Sequence, residues 1–91
     1  MEAAIRMAKL IPAAERIIKA RQLIQHARDL PIPEVGRGDF SYIAQVKDLL
    51  RQARDLIKFI PQSPSASEEL KEEVKDIYQE IGQANQEILH G

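Results

Sequence analysis

The chain has 91 residues, 44% hydrophobic and 30% charged, a mixture that is globular rather than disordered and fits one small domain. A net charge of −1 offers no basic face for nucleic acid, and the absence of cysteine excludes disulfides, thiolate catalysis and cysteine metal sites. No apolar run approaches the ~18–20 residues that span a bilayer. The N-terminal stretch carries acids among interrupted apolar residues, so neither a membrane span nor a signal peptide is expected, and a cytoplasmic protein, or a domain excised from a larger one, is the default.

Three helices are expected, at about residues 2–29, 40–60 and 66–89, as an antiparallel up-down-up three-helix bundle in one domain of class all-α. In the first, Ala3, Met7, Leu10, Ala14, Ile17, Ala20, Ile24 and Ala27 recur at spacings of three and four. Pro12 falls inside that pattern. It lacks an amide donor and clashes with the preceding turn, so a kink or a break is expected there. The following ten residues, Leu30 to Asp39, hold two prolines and two glycines and stop the helix. Asp39 or Ser41 is the candidate cap of the second helix.

The second helix carries the seam Ile43, Val46, Leu50, Ala53, Ile57 and Ile60, and Pro61 ends it. In the loop that follows, Ser65 and Glu68 have the spacing of a capping box. The third helix repeats the seam with Leu70, Val74, Ile77, Ile81, Ala84 and Ile88, and four glutamates crowd its first turns, where the helix dipole favours negative charge. Gly82 interrupts this helix. Close packing against a neighbour and a tolerated weak spot both account for it. The central core is expected at Ile17, Ile24, Leu50, Ile57, Val74, Ile77 and Ile81.

No catalytic constellation converges, so no enzymatic activity, metal or cofactor is expected. His26 sits among polar neighbours and His90 is next to last; every serine lies in a loop or a cap. Gly36-Arg37-Gly38-Asp39-Phe40 contains the Arg-Gly-Asp tripeptide, a turn of the kind integrins read, although Asp39 has the competing task of capping.

The helices are unequal. Apolar residues flank the central stripe on the first helix (Ile11 and Ile18 on one side, Leu23 on the other) and on the second (Leu49 and Leu56), whereas the third has a narrow stripe widened only by Tyr78 and Leu89. A surplus of this kind serves a partner, a second copy or a missing helix, or becomes core if Pro12 rotates the two halves of the first helix. The expected partner-facing residues are Ile11, Ile18, Leu23, Leu49, Leu56 and Phe59, with Lys47, Arg54 and Lys58 as a cationic rim suited to an acidic amphipathic helix. Residues 2–29 carry +3 and residues 68–91 carry −5, so the first and third helices are expected to attract each other.

A Pro-rich loop, a helix opening Tyr42-Ile43-Ala44-Gln45-Val46-Lys47, then Ile60-Pro61 and a Pro-Ser loop into an acidic helix with Glu68 and Glu69 follow one another. Over about 75 residues from Ile17 onward, this order resembles the focal-adhesion-targeting (FAT) type of helical bundle, related in architecture to vinculin. The resemblance implies a scaffold or adaptor module that binds short leucine–aspartate helices in apolar grooves rimmed by lysine. Such domains are four-helix bundles. With three long helices, only the groove between the second and third carries over, and Lys47, Arg54 and Lys58 match its rim in type. The expected function is a non-catalytic protein-interaction module that binds an amphipathic helix or self-associates. The alternatives are an engineered binder on a helical scaffold and an integrin ligand acting through Arg37-Gly38-Asp39.

Overall fold

The computed structural model describes residues 12–90, and among them are three α-helices and no strand. Helix α1 spans Ala13–Asp29, α2 spans Phe40–Ile57 and α3 spans Glu68–Leu89; a 3-10 turn, Ile60–Gln62, joins α2 to α3. Each helix packs against both others in an up-down-up bundle. The α1–α2 contact is the most extensive and the α2–α3 contact the least.

The starts and stops follow from local chemistry. Pro12 is the N-cap of α1, with φ −57° and ψ 150°, so this helix starts directly after the proline, and its first turn hangs from the Pro12 carbonyl, which accepts from Arg16 N at 3.0 Å. Ile11 and the earlier seam positions lie outside the described residues. Asp39 caps α2, its Oδ2 accepting from Tyr42 N at 2.9 Å. Helix α2 ends at Ile57, short of the expected residue 60, because Pro61 has no amide to continue the ladder and restricts the residue before it. Ile60 is still buried, on the tight turn rather than the helix.

The capping box expected at Ser65 is corrected. Ser67 is the cap of α3, with extended backbone and Oγ accepting from Leu70 N at 3.1 Å, so the helix opens at Glu68 rather than residue 66. Ser65 Oγ is paired with Ser63 Oγ at 3.0 Å instead. The α2 seam is corrected at its first position, where Tyr42 is buried and Ile43 only half-buried; Ala14 of α1 is exposed and Leu70 of α3 half-buried.

The core joins one stripe from each helix: Ile17, Ala20, Ile24 and Ala27; Tyr42, Val46, Leu50, Ala53 and Ile57; Val74, Ile77, Ile81, Ala84 and Ile88. All seven residues expected at the centre are in it. Among the described residues none of the buried ones is polar or charged, and no buried side-chain polar atom lacks a partner. Ile57 and Ile77 are fully enclosed at 0% exposure. Truncating either to alanine removes burial and leaves a cavity, so Ile57→Ala or Ile77→Ala should cost ~2–5 kcal/mol in chemical denaturation. A neutral result at either position would contradict this packing.

Candidate partner-binding groove

Charge divides the bundle's seams. On the α1–α3 seam, Arg21 reaches Glu73 and Glu80, each at 3.5 Å, and Arg28 reaches Glu87 at 2.7 Å. The acids 73, 80 and 87 and the cations 21 and 28 each repeat every seven residues, so they form a ladder along one edge of α3. This is the attraction expected from the opposite charges of the two segments.

The α2–α3 seam has no such ladder. An open cleft of about 460 Å³ runs along it, lined on α2 by Lys47, Leu50, Arg51 and Arg54 and on α3 by Tyr78, Ile81, Gly82 and Asn85. Leu50 and Ile81 are core residues whose edges form the floor. Lys47 and Arg54 also stand seven residues apart, about 10 Å along the helix. Neither has an ion-pair partner among the described residues, and across the cleft α3 contributes Tyr78, Gly82 and Asn85 in place of its acids. Arg51, between them, is already engaged. It bonds Asp48 at 2.7 Å and Asp55 at 2.9 Å along its own helix. That hydrogen bond from Arg51, with a second from Gln52, holds the Asp48 carboxyl below its ordinary range, and Asp48 in turn holds Arg51 above its own. The uncompensated positive charge of the cleft therefore belongs to Lys47 and Arg54.

The residues expected to face a partner fall in several places. Lys47 and Arg54 line the α2–α3 cleft. Leu23 and Leu56 meet in a shallow furrow between α1 and α2, with Gln52 and Asp55 beside them. Phe59, 60% exposed, borders a separate hollow at the end of the bundle with Ile60, Leu70 and Arg16, whose guanidinium also donates to the Leu56 carbonyl at 3.4 Å. Lys58 belongs to that end, paired with Asp55 at 3.4 Å and lying 5.1 Å from the Phe59 ring centre. Ile18 is exposed on α1, and Leu49 packs half-buried against the core. Ile11 is outside the described residues. The cleft residues missed from sequence are Leu50, Arg51, Tyr78, Ile81, Gly82 and Asn85. Tyr78 beside a narrow stripe and a glycine one turn later were the available signals.

The loop between α1 and α2 carries two exposed apolar side chains, Ile32 and Val35, and an exposed Arg37, and Phe40, the first residue of α2, is exposed beside it. Gly36, at φ +98°, turns the chain in a conformation that other residues rarely adopt. Asp39 lies in the cap of α2. No group of three metal-ligating side chains gathers among the described residues, and His26 and His90 are exposed.

No family model, curated protein or solved structure matches the chain. No helix among the described residues is long and apolar enough to cross a membrane. What the cleft does follows from its own chemistry.

Because Asp39 satisfies a first-turn amide, Asp39→Ala should cost ~0.5–2 kcal/mol of stability. Arg37→Ala, on an exposed side chain, should leave the melting curve unchanged. Loss of integrin adhesion in Asp39→Ala with stability intact would reverse this assignment of the loop.

Proposed function

We propose that this chain is a non-catalytic interaction module of scaffold or adaptor type that seats an acidic amphipathic helix of a partner protein in the α2–α3 groove. The contrast between the two seams of α3 carries the reading. Toward α1, heptad-spaced arginines meet heptad-spaced glutamates. Toward α2, heptad-spaced cations meet none of the seven acids that α3 and its end contribute. An incoming helix with apolar residues on one face and acids at its edge supplies the missing half: its apolar face covers Tyr78 and the outer edges of Leu50 and Ile81, and its acids meet Lys47 and Arg54. Exposed ion pairs add little affinity each but select the partner and its register. The focal-adhesion-targeting resemblance implies a groove of this type between these two helices.

The direct test uses a fluorescent synthetic peptide of about 18 residues, long enough for appreciable helicity, with leucine on one face and two glutamates seven residues apart. Lys47→Glu combined with Arg54→Glu should weaken its binding by at least tenfold, or about 1.4 kcal/mol, with an unchanged melting temperature. A control peptide with lysine in place of both glutamates should not bind. Equal affinity of the double variant would overturn the proposal. So would a dimer in sedimentation that the double variant abolishes, since the groove would then belong to a second copy.

A further inference from the structure

We infer that Gly82 is the crossing point of the groove, where the partner helix comes closest to α3, and that the partner presents a small side chain there: alanine, serine or glycine. This rests on the helix-binding reading above and specifies its partner. Apart from proline, glycine is the residue least favourable to a helix interior, so a mid-helix glycine calls for a cause. Two causes internal to the fold are absent. Gly82 does not have positive φ, since Gly36 is the residue that does among the described glycines. Nor does a neighbour press on it: a Cβ built at Gly82 meets nothing within 4 Å, which corrects the expectation of close packing within the bundle.

What Gly82 borders is the cleft. It stands one turn beyond Tyr78 and one turn before Asn85 on the same stripe of α3, opposite the α2 face that carries Lys47 and Arg54. Between two larger side chains the glycine leaves a notch. Helices approach one another according to the side chains at their contact, and a residue without a side chain permits the shortest separation. A helix laid along the cleft drops its backbone deepest at this notch. A small residue on the partner at that point lets its apolar side chains reach Leu50 and Ile81, and a bulky one lifts them away. Gly82 therefore sets partner selectivity by size, while Lys47 and Arg54 set it by charge.

The experiment compares Gly82→Ala and Gly82→Leu against the acidic peptide carrying alanine midway between its two glutamates. Because the space over Gly82 is open, both variants should fold, and Gly82→Ala should raise the melting temperature by about 4–8 °C. Filling the notch should nevertheless weaken peptide binding, by about five- to a hundredfold for Gly82→Leu, with Gly82→Ala between it and wild type. Replacing the peptide's central alanine by leucine should weaken binding to the wild-type chain in the same direction. Equal affinity of wild type and Gly82→Leu would overturn the crossing point and leave the groove reading standing. A fall in melting temperature for Gly82→Ala would show that the fold itself requires the glycine, and would also overturn it. Wild-type binding no tighter than that of the Lys47→Glu, Arg54→Glu variant would count against the groove reading itself.

Discussion

Three apolar stripes must share one short core, and the rest of the molecule is arranged around that demand. The chain has no tryptophan and few aromatics, so the core is filled by branched aliphatic side chains around Val46, Ile57, Val74 and Ile77. Fully buried alanines at 20, 27, 53 and 84 alternate with them and let the helices come together. Among the described residues the buried side chains are aliphatic apart from Tyr42, so the core fixes proximity but does little to fix which helix edges meet. The ladder of Arg21 and Arg28 with Glu73, Glu80 and Glu87 does that at the α1–α3 seam. Its members are largely exposed, and such pairs are worth ~0.2–1 kcal/mol each, enough to choose a register and too little to hold the bundle. With α1 drawn to both neighbours, the α2–α3 seam is left as the open side.

The core was legible in the sequence wherever the apolar pattern kept a strict heptad. On α1 and α3 the buried positions alternate by three and four, and each one within the helical spans beyond the first turn was placed correctly. On α2 the buried residues 42, 46, 50, 53 and 57 run four, four, three, four. The opening step of four in place of three moves the first contact from Ile43 to Tyr42. The cap of α3 was misplaced for a local reason: serine occurs at 63, 65 and 67, and the side-chain pairing of the first two leaves Ser67 to meet the free amide. The extent of α2 was overestimated because Ile60 is buried as a helical residue would be, yet sits on the 3-10 turn that Pro61 imposes.

The groove was only half legible. Lys47 and Arg54 announced a basic edge, but a helical wheel does not say which edge of α2 faces α3, or that the glutamates of α3 turn away from it toward α1. That choice is tertiary, made when Arg21 and Arg28 of a distant segment claim those glutamates. Gly82 drew attention in the sequence as an irregularity, and its lack of any close neighbour is visible only once the bundle is assembled. The apolar surplus on α1 and α2 is divided between half-burial against the core, at Leu23, Leu49 and Leu56, and open exposure, at Ile18 and Phe59.

The claim that the α2–α3 seam is the working face is tested most directly by mapping it residue by residue. Uniformly 15N-labelled protein titrated with the acidic helical peptide should show amide chemical-shift changes concentrated at residues 47, 54, 78, 82 and 85, with the α1–α2 furrow around Leu23 and Leu56 undisturbed. Changes centred on that furrow, or on the exposed Ile32 and Val35 of the first loop and Phe40 at the start of α2, would contradict the account.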